Sequence, residues 1–480
     1  MPDFDPQKIL IDWKEAHGFT IADATAGVCV LGATGSGKTS GPGAMLARAY
    51  LKNGFGGLVL CAKPEERQQW EKWARETGRS ADLIAVDTDG HARFNFLEWA
   101  ASHGEKGGFT INIVNLLDEI AGAVDEGPGA GQGSGDSAFF RSAHRHLLFN
   151  LVDLVVLSGL PISLPLMRAA ANSAPLSLAQ VNDPQWQEQS VCWHLLQEAE
   201  KASQGDPARR KDFEECSGYW LREFPGLSDR TRSIVILMQS MMVRPFLTRP
   251  LRQLFAEDTT ITPEAMNSGK IIIVDLPVQT FRLAGRVSAL AWKWCTQLSI
   301  MRRAVHNGAR PRPCFIWADE AQWFTTERDA EYQAIARSAG GCTVYLTQQR
   351  ESFRRVLKNN DAVDNLLANL QVKIFCQNSS PETNGWASAL LGERFVKVTG
   401  TSTGRNVQQA ETGESGGSNT GVSRHDERRW YVEPATFATL RRGGPANDLR
   451  VDCIVYAGGK LFPGEGGEMM PYKKLRFRQE

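Results

Sequence analysis

A glycine-rich stretch that ends in lysine and threonine carries the clearest chemistry of this sequence. Residues 28–40 read VCVLGATGSGKTS, so an apolar run leads directly into the spacing G-x-x-x-x-G-K-T from Gly32 to Thr39. Such a turn points backbone N–H groups inward, where they cradle phosphate oxygens at the start of a helix. Lys38 can then neutralise phosphate charge while the Thr39 hydroxyl ligates Mg²⁺. The pattern predicts a P-loop that binds ATP and Mg²⁺.

The flanking segments distinguish a P-loop from a chance glycine-rich turn. Ala26 to Leu31 is predicted to form a buried strand and Gly43 to Leu51 a helix, which is the context that phosphate binding requires. We therefore favour nucleotide binding over the chance turn. The predicted nucleotide-binding residues are Gly32, Ala33, Thr34, Gly35, Ser36, Gly37, Lys38, Thr39 and Ser40.

Two acidic residues after a second apolar run could complete a hydrolytic site. CFIWA at 314–318 predicts a buried strand, and Asp319 and Glu320 follow it directly. Sites in open α/β sheets gather at the carboxyl ends of strands. Asp319 suits Mg²⁺ coordination through the water shell of the ion, and Glu320 suits a general base that polarises the attacking water. Asp and Glu could also follow a strand simply because they cap the start of the next helix, but the upstream P-loop favours a catalytic role.

Two further side chains are candidates for the same chemistry. The predicted strand Cys342 to Leu346 is followed by Thr347 and Gln348. The Gln348 amide there could contact both the γ-phosphate and the attacking water. Arg337 lies on the helix that leads into this strand. A surface arginine on a helix is usually only solvated, but the position of Arg337 between the two catalytic strands makes it a candidate arginine finger.

Strands and helices alternate in a way that predicts an α/β fold with a mainly parallel sheet, interrupted by an inserted all-α domain. Residues 1–25 are predicted to be a leader with a short helix. The glycine-rich stretch 122–135 marks a predicted boundary, and helical spacing dominates from Phe139 to about Phe255. The predicted domains are the leader 1–25, a nucleotide-binding domain made of 26–137 and 256–480, and the all-α domain 138–255.

Composition restricts the class of protein further. The chain has 54 Lys and Arg against 54 Asp and Glu, so a nucleic-acid partner would have to be held by local basic patches. The nine cysteines contain no C-x-x-C pair and are predicted to be reduced. No apolar run approaches the roughly 20 residues of a membrane span, which predicts a soluble, cytoplasmic protein. The segment Thr399 to His425 is either a mobile hairpin or a disordered loop. The chain is predicted to close with a strand from Asp452 to Tyr456 and a basic tail, PYKKLRFRQE.

Taken together, the motifs resemble the coupling proteins of conjugative type IV secretion, the TraG/TraD-like ATPases of the FtsK/HerA superfamily. The matching stretches are GATGSGKT, FFRSAHRHLL, FIWADEAQWF, IARSAGGCTVYLTQQ, LLANLQVKIFC, WASALLG and WYVEPATFATL. The resemblance implies a RecA-like P-loop NTPase domain, a hexameric ring with an all-α domain on one face, and DNA translocation driven by ATP. It assigns Gly32, Gly37, Lys38 and Thr39 to Walker A, Asp319 and Glu320 to Walker B, Arg337 to the finger and Gln348 to the sensor.

Two departures from the family pattern affect what can be carried over. Typical members have transmembrane helices before the ATPase domain, and no such segment is predicted here. The second strand of the family usually ends with Asp before a lysine-containing turn, whereas this chain reads LVLCAKPEE, which keeps the lysine as Lys63 without the Asp.

The leading hypothesis is an ATP-hydrolysing homohexameric translocase for single- or double-stranded DNA, delivering DNA or relaxase-bound DNA to a type IV secretion channel. Relaxase and secretion components are the implied partners, and the protein would be cytoplasmic or peripheral at the inner membrane through them. One alternative is a soluble DNA-pumping ATPase for packaging, segregation or mobile-element defence. Another is a non-hydrolysing, nucleotide-gated docking scaffold, against which Glu320 and Gln348 both argue.

Overall fold

A nine-stranded sheet forms the centre of the part of the chain that the structure describes. The computed structural model describes residues 4–13, 18–102, 109–125, 136–256, 258–303, 310–410, 413–464 and 467–479. In chain order the strands are β1 Ile9–Asp12, β2 Gly18–Thr20, β3 Val28–Leu31, β4 Gly56–Leu60, β5 Leu83–Val86, β6 Ile271–Val274, β7 Cys314–Ala318, β8 Gly341–Thr347, β9 Val372–Phe375, β10 Glu393–Ala410, β11 Gly413–Trp430, β12 Arg450–Ala457, β13 Phe462–Pro463, β14 Met469–Met470 and β15 Lys473–Arg478.

The strand order in the central sheet is β15-β12-β9-β3-β8-β7-β4-β6-β5. Every neighbouring pair from β9 to β5 is parallel, whereas β12 is antiparallel to both β9 and β15. Strands such as VCVL in β3 and CFIWA in β7 are buried along their whole length, as expected for a parallel sheet covered on both faces. The predicted α/β fold with a mainly parallel sheet is confirmed.

Helices supply the rest of the regular structure. They are α1 Ile21–Thr25, α2 Ala44–Lys52, α3 Glu66–Glu76, α4 Phe96–Ser102, α5 Phe109–Asp125, α6 Asp136–Ser158, α7 Leu164–Asn172, α8 Pro184–Gln189, α9 Val191–Ala202, α10 Pro207–Gly218, α11 Phe224–Gly226, α12 Asp229–Val243, α13 Leu251–Phe255, α14 Val278–Phe281, α15 Leu283–Met301, α16 Arg328–Ala336, α17 Arg350–Leu357, α18 Asn360–Asn369, α19 Pro381–Leu391 and α20 Pro434–Ala438. Between β5 and β6 the regular elements of the described residues are all helical, and α6 packs against α9, α10 and α12. In the described part of the chain, no helix is both long enough and apolar enough to cross a membrane.

The secondary structure predicted for the N-terminal residues was wrong. In place of a short leader helix, β1 and β2 form an antiparallel pair, and among the residues described before β3 only the five of α1 are helical. The β-branched and aromatic side chains of ILID and GFT explain the preference for strands. Phe19 is fully buried and its ring lies 5.7 Å from that of Trp13.

The C-terminal end also differs from the prediction. The segment interpreted as a basic tail contains β15, an edge strand of the central sheet, in which Leu475 and Phe477 are partly buried while Lys474, Arg476 and Arg478 are exposed. Of the predicted alternatives for residues 399–425, the structure has a hairpin, formed by β10 and β11. Within the predicted boundary 122–135, residues 126–135 lie outside the described residues.

Candidate nucleotide-binding and catalytic site

The predicted P-loop follows β3 at the carboxyl edge of the sheet. The Gly32 amide donates to the Thr347 carbonyl at 3.2 Å, and the Ala33 amide donates to the Gln377 carbonyl at 2.8 Å. Since β8 and β9 flank β3, these two bonds fix the loop between the ends of both neighbouring strands. Pro42 then interrupts regular hydrogen bonding, and a π-turn from Thr39 to Gly43 precedes α2. The helix therefore begins at Ala44, one residue later than predicted.

The loop has features that fit a bound phosphate. Gly35 and Gly37 have φ values of +73° and +80°, which only glycine adopts without strain. The Ser36 hydroxyl is fully buried and has no hydrogen-bond partner among the described residues. A buried polar group of this kind is costly unless something satisfies it. Together with the buried ammonium of Lys38, these groups suit the oxygens of a nucleotide.

Alanine at Gly37 should damage this loop more than alanine at Gly35. Both substitutions place a side chain at positive φ, at a cost of about 1–3 kcal/mol. A Cβ at Gly37 would also lie 2.5 Å from Cγ2 of Val451, whereas a Cβ at Gly35 would meet nothing within 4 Å. We expect Gly37→Ala to show the lower melting temperature and the weaker ATP binding. Equal losses in thermal melts and nucleotide titrations would show that the Val451 contact does not matter.

The two predicted acidic residues lie beside the P-loop. The Thr39 hydroxyl donates to Asp319 at 2.6 Å, although the two residues are 280 positions apart in the chain. Asp319 also accepts from the backbone amide of Glu320 at 2.9 Å. Glu320 has a left-handed backbone conformation with φ of +53°, which is unusual for a residue other than glycine. Strain of this type is frequent at functional sites, because it aims a side chain that regular structure would point elsewhere.

Four side chains surround the Glu320 carboxylate. Oε1 lies 2.9 Å from Nζ of Lys63 and 3.6 Å from Nζ of Lys38. Oε2 accepts from the side-chain amide of Gln322 at 3.0 Å, and from that of Gln348 at the longer distance of 3.4 Å. Thus two ammonium groups meet one oxygen of the carboxylate, and two amides meet the other.

These contacts shift the pKa of the groups involved. Burial would raise the pKa of Glu320, but Lys38, Gln322 and Lys63 outweigh it and lower the pKa from 4.5 to about 2. Burial would lower the pKa of Lys63, but Asp319 and Glu320 outweigh it and raise the pKa. Because the pKa of Glu320 is depressed by folding, its contribution to stability is complete above about 4.5 and is lost as the pH falls toward 2. Glu320 is therefore ionised at neutral pH.

Sequence patterns alone did not assign roles to several residues of this site. Lys63, on the turn after β4, is recognisable in the sequence only as the lysine of the family pattern, and no sequence motif marks Gln322 or Glu66. Glu66 accepts from the backbone amides of Ala62 and Lys63 at 3.2 and 3.1 Å, which fixes the turn. The sequence offered one signal, because the turn follows an apolar run and the carboxyl ends of parallel strands share one edge of a sheet. That β4 lies next to β7 is known only from the structure.

Arg337 is the one predicted catalytic residue that the fold does not bring to this edge. It is exposed and lies between α16 and the start of β8, whereas Gln348 follows the end of the same strand. With about 3.3 Å per residue, the strand separates them by roughly 20 Å. Arg337 lines a cleft of about 690 Å³ near the exposed side chain of Ile335. Within its own chain, Arg337 is therefore remote from Glu320.

Comparison with known proteins agrees with this architecture. Residues 313–442 match the family model described as the TraM recognition site of TraD and TraG. The chain is similar to the bacterial conjugative coupling protein TrwBdeltaN70 in its unbound monoclinic form, with 16% identity, a TM-score of 0.58, and coverage of 100% of this chain and 90% of that one. The chain has the coupling-protein fold.

The resemblance predicted from the motifs is confirmed at this level, and two further structures of the same coupling protein agree. The plasmid coupling protein TrwB in complex with the non-hydrolysable ATP analogue ADPNP gives 17% identity and a TM-score of 0.60, covering 97% of this chain and 90% of that one. The trigonal form of TrwBdeltaN70 in complex with sulphate gives 16% identity and a TM-score of 0.61, covering 100% and 91%. No curated protein sequence matches the chain.

Proposed function

We propose that this protein is an ATP-hydrolysing motor that translocates DNA and delivers it, alone or bound to a relaxase, to a type IV secretion channel. The observation that carries the proposal is the pairing of the two motifs across the sheet. Thr39 meets Asp319 at 2.6 Å and Lys38 meets Glu320 at 3.6 Å, in a coupling-protein fold. A protein that only docked other proteins would not need a carboxylate placed to activate water.

Each side chain of the site has its own role in ATP hydrolysis. Lys38 and the loop amides bind and orient the phosphates, and Glu320 accepts the proton of the attacking water. Gln348, beside Glu320, orients that water. Thr39 and Asp319 would hold Mg²⁺, which neutralises charge on the phosphate oxygens. In support of this ligand set, TrwB has been solved in complex with ADP and Mg²⁺.

The proposal extends to a homohexameric ring with DNA in its centre. The position of Arg337 supports it, because an arginine remote from its own site can serve as a finger only in a neighbouring subunit. The match of residues 313–442 to a TraM recognition site supports a protein partner in DNA processing. We propose that contact with the inner membrane is made through partners of the secretion apparatus.

DNA should stimulate ATP hydrolysis, and its binding should weaken as salt rises. The net charge of the chain is zero, so binding must come from local cationic groups that displace counterions from the DNA. We expect a log–log slope of about −0.7 to −0.9 for each neutralised phosphate. Fluorescence anisotropy with single- and double-stranded oligonucleotides, from low to moderate salt, measures the slope and the strand preference.

The Lys38→Ala protein is the control, because it should keep the salt-dependent DNA binding and lose hydrolysis. A wild-type protein that hydrolyses ATP at the same rate with and without DNA, even at low salt, would contradict the motor. Nucleotide binding without any turnover would instead favour the docking scaffold.

A further inference from the structure

Lys63 lies where a second cation of the nucleotide site would be expected. The turn that carries it follows β4, and β4 pairs in parallel with β7, so Leu60 lies opposite Ala318. The turn and the carboxylates after β7 therefore share one edge of the sheet. The two backbone bonds to Glu66 hold the turn in place, and the Lys63 ammonium extends from it to Glu320.

The Glu320 carboxylate lies between the ammonium groups of two lysines. Lys63 and Lys38 both approach Oε1 of Glu320, at 2.9 and 3.6 Å. In P-loop proteins the Walker lysine, here Lys38, binds the β- and γ-phosphates. Because Lys63 approaches the same Glu320 oxygen as Lys38, it lies beside the position of the γ-phosphate. A dianionic terminal phosphate attracts an ammonium more strongly than a single carboxylate does.

Lys63 has the freedom to change partners. A third of its side chain is exposed, at 33%, while that of Glu320 is only 9% exposed. A lysine on a flexible four-carbon stem can swing over a few ångströms without unpacking a core. The fixed partner of the pair is thus the carboxylate, and the movable one is the ammonium.

We propose that Lys63, which contacts Glu320, is a second ligand of the γ-phosphate and exchanges Glu320 for the phosphate when ATP binds. The inference rests on the proposed function. Its consequence is a coupling within one subunit, because the transfer removes the closest cation from Glu320. Binding of the terminal phosphate therefore changes which side chains contact Glu320.

The test compares affinities for ADP and for a β,γ-imido analogue of ATP, measured by calorimetry on the full chain with Mg²⁺. Lys63→Met should weaken binding of the ATP analogue about tenfold or more and leave ADP affinity unchanged, because only the analogue has a γ-phosphate. Lys63→Arg should keep most of the preference for the analogue, since it keeps the charge. Lys72→Met, at an exposed lysine of α3, is the matched control and should change neither affinity.

A second comparison tests the competition between Glu320 and the phosphate for Lys63. In the presence of Lys63, Glu320→Gln should tighten binding of the ATP analogue relative to ADP, because it removes the competing anion. In the Lys63→Met background, Glu320→Gln should give no such gain. A gain that persists without Lys63 would overturn the proposal.

The outcomes also separate this inference from the proposed function. If Lys63→Met weakens ADP and the ATP analogue equally, Lys63 is structural, and if it weakens neither, it does not touch the γ-phosphate. Either result overturns the inference and leaves the motor standing. Failure of the wild-type protein to bind ADP or the analogue would overturn both.

Discussion

Replacement of Glu320 by Gln should give a protein that binds ATP with Mg²⁺ and hydrolyses it at least about 100-fold more slowly than the wild type. The amide keeps the size and hydrogen-bonding capacity of the side chain but cannot accept a proton from water. Binding should persist because the loop amides, Lys38 and Thr39 are unchanged. Single-turnover hydrolysis and nucleotide titration measure the two quantities separately.

Two control variants show whether the loss of hydrolysis is specific to Glu320. Lys38→Ala removes charge from the phosphate-binding loop, so it should lose both affinity and turnover. Glu331→Gln neutralises an exposed carboxylate on α16 and should change neither. Hydrolysis by the Glu320→Gln protein at the wild-type rate would show that the base is a different group, while leaving nucleotide binding intact.

Local patterns were sufficient to predict the two motifs of this site. The glycine-rich segment from Gly32 to Thr39 could be interpreted from the sequence because glycine is required by the backbone conformation there. Gly35 and Gly37 both adopt positive φ. The strand before Asp319 was recognisable because five successive apolar residues are needed where a parallel strand is buried on both faces. Both signals lie within about a dozen consecutive residues.

The surroundings of Glu320 could not be predicted in the same way. Its closest cation, Lys63, is 257 positions away in the chain. The contact depends on β4 and β7 being neighbours, and the order of strands in a sheet is set by packing of the whole domain. The family motif drew attention to Lys63 without indicating its partner. The sharing of one Glu320 oxygen by two lysines is a property of the folded chain.

The two strand-containing ends of the chain show a different limit. β1 and β15 are short, lie at sheet edges or in a two-stranded pair, and have mixed polarity. In β15 the alternation of Leu475 and Phe477 with basic residues was a usable signal of a half-buried strand. Its density of Lys and Arg favoured a basic tail instead, although charge is common on edge strands because it discourages edge-to-edge association.

Replacement of Arg337 by Ala should reduce ATP hydrolysis by about 10³- to 10⁵-fold and leave nucleotide binding unchanged. An arginine finger stabilises the charge that develops on the transferred phosphoryl group. Arg337 cannot do this for its own site, because β8 separates it from the edge that carries Glu320 and Gln348. Arg355→Ala, at an exposed arginine on α17, is the matched control and should retain activity.

Mixing two inactive proteins distinguishes action on a neighbour from action within one subunit. An Arg337→Ala subunit keeps its own carboxylate but donates no finger, whereas a Glu320→Gln subunit has an inactive site and an intact finger. Mixed rings should therefore regain part of the wild-type hydrolysis, at interfaces where the second protein serves the first. Native mass spectrometry confirms that mixed rings form. If mixed rings form without activity, each variant is titrated into the wild-type protein to find the cause. Inhibition steeper than the fraction of mutant subunits indicates that the subunits hydrolyse ATP in a coordinated order. Inhibition in proportion to that fraction would refute the assignment of Arg337 to a neighbouring site.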